Sequence, residues 1–199
     1  MPGVGNYAFF DYTPDSLRSH KPGSLLNPVE RVSWEECGLW LGRLGFLLPT
    51  EAQSEYANRA GTTTAWWTGP EKPSLIVGAN VGDASHHNAS GVAGCETWDD
   101  GYPAHAAVGS FAPNAFGLHD TSGNVWEWCR DGFGTYEAAN WRKGDGLRDS
   151  RAGPWFRMIR GGAFSYFASY ARSANRTRTS PTDRALSLGV RPSRLVAAE

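Results

Sequence analysis

The chain has 199 residues, of which 40% are hydrophobic and 20% are charged, and its formal net charge is −1. This length suits one domain with a sizeable core, and the composition excludes a disordered chain and a coiled coil. No apolar run approaches the roughly 20 residues of a membrane helix, and the start of the chain lacks the basic and apolar regions of a signal peptide, so we expect no membrane segment and, by default, a cytoplasmic location.

Two helices are predicted in the first third of the chain. Residues 1–28 mix aromatic residues with Pro and Gly, which predicts an extended, loop-like segment. Ser33 and Glu36 form a capping box that opens the first helix, and Gly45 is placed to end it. Thr50 and Gln53 form a second capping box, and Gly61 lies at the end of that helix. The face predicted to be apolar on the first helix consists of Trp34, Cys37, Trp40, Leu41 and Leu44.

From Thr62 onward the sequence predicts short strands and long loops without a convincing amphipathic helix. The clearest strand candidates are residues 155–160 and 186–191. Loops this long are unusual in a compact domain unless something else holds them, and a bound metal ion is one physical answer. His86 and His87 are adjacent in what is expected to be extended chain, so they point to opposite sides and are interpreted as loop surface.

The C-terminal part of the chain is strongly basic. Residues 157–194 contain eight arginines, no lysine and one acid, Asp183. A basic end can bind nucleic acid, but these arginines are spaced through apolar and small residues, as expected if they pair with acids elsewhere in the chain. No known nucleic-acid-binding signature accompanies them, so no nucleic-acid partner is predicted.

Several stretches in order carry a family resemblance: residues 32–36 (Val-Ser-Trp-Glu-Glu), 48–52 (Leu-Pro-Thr-Glu-Ala), 117–128 (with Gly-Asn-Val-Trp-Glu-Trp at its end), 160–162 (Arg-Gly-Gly) and 188–191 (Leu-Gly-Val-Arg). Together they resemble the formylglycine-generating enzyme, or sulfatase-modifying factor, family. The resemblance implies an α+β, C-type-lectin-like fold with two helices, a small antiparallel sheet and much irregular loop. We assign one such domain to residues 29–199 and leave residues 1–28 as an N-terminal extended segment.

The resemblance also implies structural calcium, because family members bind Ca²⁺ in these loops through carboxylates, amides and carbonyls. One site would use the side chains of Asp120 and Glu127, and another those of Asn80 and Asp100. The carbonyls implied as further ligands are those of Gly123 and Val125 at the first site and of Val81 and Tyr102 at the second. The alternative is that Asp120 only closes a turn and that Glu127 pairs with an arginine.

The family's founding activity oxidises a substrate cysteine to formylglycine with oxygen and Cu(I) held by two C-terminal cysteines. The matching positions fall near Ala168 and Ser173, whereas the cysteines of this chain are Cys37, Cys95 and Cys129. Soft Cu(I) needs thiolates, so we expect no copper and no such enzyme activity. The odd number of cysteines, without CxxC spacing, also argues against a disulfide framework and a cysteine-based zinc site.

Residues 163–191 have an unusual composition. They contain no Lys, Glu, Gln, Trp or Met, although these types make up 25 of the 199 residues and about four would be expected in 29 positions. The absent types are those that cannot be reached by changing the adenines of an AAC codon. The segment therefore resembles the variable region of a diversity-generating retroelement protein, a group similar to the formylglycine family. The alternative is a sheet surface of small residues with an accidental bias.

We accordingly predict a ligand-binding, receptor-type protein that displays exchangeable side chains, with another protein's surface as its ligand. Arg172, Asn175, Arg176, Arg178 and Arg191 would be framework. The alternatives are a calcium-dependent carbohydrate-binding lectin and a formylglycine-generating-type oxidase or accessory domain. The predicted binding face, expected to be exposed on one contiguous surface, consists of Phe164, Tyr166, Phe167, Tyr170, Thr177, Thr179, Asp183, Ala185, Leu186 and Ser187.

Overall fold

A computed structural model describes residues 25–136, 141–148 and 155–195. Residues 1–24, and with them most of the predicted N-terminal segment, lie outside the described residues. In chain order the described elements are α1 (Trp34–Arg43), α2 (Glu51–Arg59), a 3₁₀ helix (Lys72–Val77), α3 (Ala84–Ser90), β1 (Trp126–Gly132), β2 (Arg157–Arg160), a second 3₁₀ helix (Ala168–Ala171), β3 (Thr177–Thr179) and β4 (Leu188–Gly189).

Both predicted helices and both capping boxes are confirmed. The Glu36 amide donates to Ser33 Oγ at 3.2 Å, and the Ser33 amide donates back to Glu36 Oε2 at 2.9 Å. At the start of α2 the Gln53 amide donates to Thr50 Oγ1 at 3.2 Å, and the Thr50 amide donates to Gln53 Oε1 at 2.9 Å. Each box satisfies amides that the first turn of a helix leaves without intrahelical partners.

The sequence predicted no convincing helix after Thr62, and this prediction is wrong, because a short helix, α3, begins after Asp83. The Asp83 carboxylate accepts hydrogen bonds from the Ser85 and His86 amides and so caps this short helix. His86 is therefore not loop surface: its ring is buried, with Nδ1 2.8 Å from the Pro103 carbonyl. His87 is exposed, as predicted.

The described strands form one four-stranded sheet in the order β3-β2-β1-β4. β1 and β2, and likewise β2 and β3, are antiparallel, but β4 runs parallel to β1, with Trp126 opposite Leu188. The predicted small antiparallel sheet is therefore present with one difference, the parallel β1–β4 pair, which arises because the chain leaves β3 at one edge and crosses to the opposite edge before it enters β4. β2 and β4 are shorter than the predicted strands, and the sequence did not predict β1 or β3.

α1 packs on the sheet around the main core. The buried members of this core are Val32, Cys37, Leu48, Trp126, Trp128, Ile159, Ala163 and Leu188. Trp34, Trp40 and Leu41 of α1 pack against them as predicted, whereas Leu44 lies past the end of the helix and is 71% exposed. The indole N–H groups of Trp34 and Trp128 donate to the Cys129 and Val32 carbonyls, both at 2.8 Å, and tie α1 to β1.

Four of the eight arginines of residues 157–194 pair with described acids, as predicted: Arg160, Arg176, Arg184 and Arg191. The buried Glu51 at the start of α2 accepts from Arg176 Nη2 at 2.7 Å and Arg148 Nη1 at 3.3 Å, and it lies 3.4 Å from Arg160 Nε. Arg184 pairs with Glu36 at 3.0 Å, and Arg191 pairs with Glu127. Over the described ranges, no helix is long and apolar enough to cross a membrane.

Candidate ligand-binding face and cation sites

Three of the predicted face residues are exposed aromatic residues close together in the chain, and we call them the aromatic cluster: Tyr166, Phe167 and Tyr170, whose side chains are 37%, 37% and 39% exposed. The Tyr166 and Tyr170 rings meet edge to face at 5.4 Å between centroids. Each also meets the edge or face of the buried Trp126 ring, at 5.4 and 6.2 Å. This geometry is favourable for aromatic pairs and leaves the outer faces of the rings in solvent.

The backbone beneath this cluster is fixed by groups from outside the 163–191 segment. The Gly82 amide donates to the Tyr166 carbonyl at 2.8 Å, and Trp66 Nε1 donates to the Ala168 carbonyl at 2.9 Å. The Ala168 amide donates to Glu96 Oε1 at 3.2 Å. A Cβ at position 82 would lie 3.3 Å from the Tyr166 carbonyl oxygen, so a side chain there would crowd this contact.

The same anchoring continues to the end of the turn. Ala168 and Ala171 are buried in a second core cluster with Trp66 and Leu75. The Ser173 amide donates to the Ala65 carbonyl at 2.9 Å, and its hydroxyl donates to Asn58 Oδ1 at 2.7 Å. In the described part of the chain these hydrogen bonds use main-chain atoms and small residues, not the side chains of the aromatic cluster. The exposed rings can therefore change without loss of an anchoring contact.

Phe164 was predicted to be on the exposed face, and this is wrong. Its side chain is 5% exposed and packs against the His105 ring at 4.6 Å and the His86 ring at 5.7 Å. Its amide donates to the Asn124 carbonyl at 3.0 Å. Phe164 therefore belongs to the framework and not to the exposed face.

The remaining face residues do not join the aromatic cluster in one continuous patch. Thr177 and Thr179 are half-buried on the edge strand β3, and Asp183 is exposed and accepts from the Thr179 hydroxyl and the Ser180 amide. Ala185, Leu186 and Ser187 are half-buried and lead into β4 at the opposite edge. The Ser187 carbonyl accepts the Trp126 amide at 2.7 Å, which fixes the start of β4 beside β1.

The predicted framework arginines fall into two groups, those that are bonded to acids and those that are exposed. Arg176 is bonded to Glu51 and stacks over the Tyr136 ring at 4.2 Å. Arg191 is bonded to Glu127, whose negative charge raises the pKa of its guanidinium. Arg172 and Arg178 are exposed. Arg172 donates to the Ser169 carbonyl, as expected of a framework arginine, whereas the guanidinium of Arg178 stacks over an aromatic ring, that of Phe133, at 4.1 Å. Asn175 contributes its carbonyl, which accepts from Arg160.

Asn80 and Asp100, the side chains predicted to bind one of the calcium ions, are each held by a hydrogen bond to the main chain. Asn80 Nδ2 donates to the Ala104 carbonyl at 2.7 Å, and Asp100 Oδ1 accepts the Tyr102 amide at 2.8 Å. The other oxygens, Asn80 Oδ1 and Asp100 Oδ2, are both buried without a hydrogen-bond partner. Burial, with a further contribution from Asp83, raises the pKa of the Asp100 carboxyl to about 7. Two buried oxygens without donors are what a hard cation such as Ca²⁺ satisfies.

The Glu127 carboxylate already has a cationic partner, Arg191, and the Asp120 carboxylate accepts a main-chain amide, so this pair of side chains lacks the unpartnered oxygens seen at Asn80 and Asp100. Both Glu127 oxygens accept from Arg191 Nε, at 2.9 and 3.0 Å. Arg191 Nη2 also donates to the His119 and Asp120 carbonyls, while Asp120 Oδ2 accepts the Gly109 amide. The alternative interpretation, in which Glu127 pairs with an arginine, is therefore the one observed.

The backbone between Asp120 and Glu127 has a structural role that the sequence did not reveal. The Asn124 amide donates to the Asn80 carbonyl at 2.8 Å, so the two predicted calcium motifs are adjacent in space. A Cβ at Gly123, where φ is +75°, would lie 2.1 Å from that carbonyl oxygen. Only glycine allows this approach. Val125, whose carbonyl was also a predicted ligand, is buried.

The positions matched to the copper cysteines, Ala168 and Ser173, are both buried. Burial raises the pKa of the Cys37 thiol to about 12 and also raises the pKa of the Cys129 thiol well above its usual value. Cys95 is partly exposed, and its thiol pKa is also raised, chiefly by burial. These are conditions for unreactive thiols rather than thiolate ligands.

A family model for the sulfatase-modifying factor enzyme 1-like domain matches residues 11–196. The formylglycine-generating enzyme of Thermomonospora curvata is 33% identical over 190 residues, which cover 89% of this chain and 58% of that enzyme. The chain thus spans a little over half the length of such curated relatives.

Two solved structures share the fold. PvdO from Pseudomonas aeruginosa aligns with a TM-score of 0.70 and 26% identity, over 91% of this chain and 69% of that one. Treponema denticola variable protein 1 aligns with a TM-score of 0.67 and 24% identity, over 92% and 75%. The predicted α+β fold of C-type-lectin-like type is therefore confirmed.

Proposed function

The chain belongs to the sulfatase-modifying factor enzyme 1-like family, and we propose that it is a non-catalytic, ligand-binding variable protein of a diversity-generating retroelement. The observation that carries the proposal is the arrangement of residues 163–191. The segment lacks every residue type that adenine substitution in an AAC codon cannot produce. Three of its large side chains, Tyr166, Phe167 and Tyr170, are exposed together over a backbone that other parts of the chain hold in place.

The ligand we propose is the surface of another protein. Tyr and Phe side chains provide a large contact area with few rotatable bonds, and nearby Ser and Thr residues add adaptable polar contacts. Exposed aromatic residues that adjoin one another are typical of protein interaction sites. The likeness to Treponema denticola variable protein 1 supports the choice of scaffold, since that protein has the same fold.

Sequencing the genomic region around the gene tests the retroelement. We expect a reverse transcriptase gene and a second, near-identical copy of the DNA that encodes residues 163–191. The differences between the two copies should fall at adenines of the second copy and should change codons 166, 167 and 170. Codon 164 should be the same in both copies, because Phe164 is buried. A region with neither element would overturn the proposal.

The aromatic cluster should tolerate substitution where Phe164 does not. We expect Tyr166→Ser, Phe167→Ser and Tyr170→Ser, made singly, to lower the free energy of unfolding by less than about 1 kcal/mol, because the rings are partly solvated. Phe164→Ala should lower it by about 3–5 kcal/mol, because it empties a packed site against His86 and His105. Urea unfolding followed by circular dichroism measures both. Equal losses at Phe164 and at the tyrosines would show that the cluster is core.

We also propose that the protein does not form formylglycine. A cysteine-containing sulfatase peptide incubated with the protein, Cu(I) and oxygen should show no aldehyde product by mass spectrometry, because no thiol lies at position 168 or 173. The Thermomonospora curvata enzyme, under the same conditions, is the positive control. Formation of the aldehyde product would contradict this proposal. Loss of that product in Cys37→Ser, Cys95→Ser or Cys129→Ser would then identify the thiol responsible.

The cofactor we propose is structural Ca²⁺ held by Asn80 and Asp100, with the carbonyls of Val81 and Tyr102 as further ligands. It is supported by the two buried oxygens that have no hydrogen-bond donor. A cation there would stabilise the loop that leads to Ala104 and His105, next to Phe164. In this way the ion would support the backbone under the binding face without contacting the ligand itself.

A further inference from the structure

A separate pocket of about 350 Å³ lies between α1, the chain just before α2, and the sheet. Its apolar wall is formed by Trp34, Phe46, Leu48 and Leu147. This volume is within the range of small-molecule sites. None of the aromatic cluster residues lines the pocket, so it is independent of the proposed binding face.

The charged side chains that line the pocket, among the residues the structure describes, are all cations. They are Arg130, Arg148 and Arg157. Arg148 is bonded to Glu51, and the Arg157 guanidinium stacks over the Trp34 ring at 3.7 Å. The guanidiniums of Arg148 and Arg157 therefore already contact other residues of the protein.

Arg130 is the cation best placed to receive a ligand. Its nearest described acid is Asp145, with Nη1 4.0 Å from Oδ2, which is too long for a hydrogen bond. Asp145 is instead bonded to Arg142, with Nε 2.8 Å from Oδ1, and this bond lowers the pKa of the Asp145 carboxyl to about 2. The Arg130 side chain is 27% exposed, so a ligand can reach its donors.

Hydrogen bonds to main-chain carbonyls hold several of the lining residues in place. The Arg130 amide donates to the Pro49 carbonyl at 2.9 Å. Leu47 and Ser193 exchange two main-chain hydrogen bonds, at 2.8 and 2.7 Å. Trp34 is held through its indole N–H by the Cys129 carbonyl. A ligand would therefore meet a preformed site and would not have to order it.

We propose that this pocket binds a small organic carboxylate whose body is an aromatic ring. A planar carboxylate matches the fork of a guanidinium, which favours Arg130 as its partner. The ring would pack against Phe46 and Leu147, the more exposed side chains of the apolar wall. This binding site is additional to the proposed recognition of a protein surface and does not depend on it.

Gly38 gives a direct way to close the pocket. It lines the pocket on α1, and a Cβ built there meets no atom within 4 Å. A leucine at this position would therefore extend into open space without a backbone clash. Gly42, one turn further along α1, also has open space but does not line the pocket, so Gly42→Ala is a control for the change in helix propensity.

Ligand-observed NMR titration with 2-naphthoate, and with its uncharged counterpart 2-naphthamide, tests the proposal. We expect the wild-type protein to bind 2-naphthoate at least tenfold more tightly than 2-naphthamide. Arg130→Gln should weaken 2-naphthoate binding by tenfold or more, because a charged hydrogen-bond pair is lost. Gly38→Leu should abolish binding, and Gly42→Ala should leave it unchanged.

Three results would overturn the proposal: no binding of 2-naphthoate to the wild type, equal binding of the acid and the amide, or binding that Gly38→Leu leaves intact. Far-UV circular dichroism and the unfolding midpoint of each variant establish that it is folded. If Gly38→Leu does not fold, Arg130→Gln decides alone, because this half-exposed side chain has no described hydrogen bond to lose.

Discussion

Replacing Glu51 by Gln should lower the free energy of unfolding by about 3–5 kcal/mol. The buried Glu51 carboxylate lies against three guanidiniums, those of Arg148, Arg160 and Arg176, and receives hydrogen bonds from two of them. Glutamine keeps the shape but not the charge, so these cations would lose the negative charge that balances them. Urea denaturation of the two proteins in the same buffer measures this difference in free energy. In thermal unfolding, the midpoint temperature of the variant should be lower by about 10 °C.

Arg184→Gln is the matched control, since it breaks an ion pair of the same type on the surface. Arg184 bonds Glu36 at 3.0 Å with both side chains solvated, and such pairs contribute about 0–1 kcal/mol. The prediction for Glu51 would be contradicted if both variants lost less than about 1 kcal/mol. In that case α2 and β3 would be held by packing, and the arginines around Glu51 would be adequately solvated.

The two helices α1 and α2 were predictable because their capping boxes are local. Ser33 and Glu36, or Thr50 and Gln53, are only three residues apart, so the sequence displays both partners at once. α3 was missed because its seven residues, two of them histidines, show no helical spacing of apolar residues, and the capping residue Asp83 is its one sequence feature. β1 was missed because it is buried on both faces, so its sequence does not alternate between apolar and polar residues.

The sequence identified the candidate face residues, but it could not show which of their side chains point toward solvent and which point into the core. The bias of residues 163–191 identified Tyr166, Phe167 and Tyr170, yet it could not distinguish them from Phe164. That distinction depends on the rings of His86 and His105, which are far away in sequence. In the same way the pairing of Arg191 with Glu127, across 64 positions, replaced one expected calcium site with an ion pair. Such contacts depend on the sheet order, which no local pattern contains.

Calcium should raise the stability of the protein through Asn80 and Asp100. At 100 times its dissociation constant a ligand adds about 2.7 kcal/mol, which corresponds to a rise of about 5–10 °C in the unfolding midpoint for a domain of this size. We expect this rise when Ca²⁺ is added to EDTA-treated protein, followed by differential scanning fluorimetry. Mg²⁺ should give a smaller rise, because it requires a stricter octahedral arrangement of ligands.

Asp100→Asn should abolish the calcium-dependent rise, whereas Asp99→Asn should keep it. Asp99 is the exposed neighbour, and its carboxylate only accepts the Gly101 amide. Without calcium, Asp100→Asn should be at least as stable as the wild type at pH 7.5, because burial disfavours the charged carboxylate and the amide avoids that cost. A merely structural aspartate would give the opposite result, a loss of stability both with and without calcium.

The variant Glu127→Gln tests which of the two predicted calcium sites binds the ion. It breaks the ion pair with Arg191, so we expect the protein to lose stability in EDTA. The rise on adding calcium should nevertheless be as large as in the wild type, because Glu127 already has a cationic partner and is not needed for the ion. If the rise instead disappears in Glu127→Gln and persists in Asp100→Asn, calcium displaces Arg191, and the site lies at Asp120 and Glu127 after all.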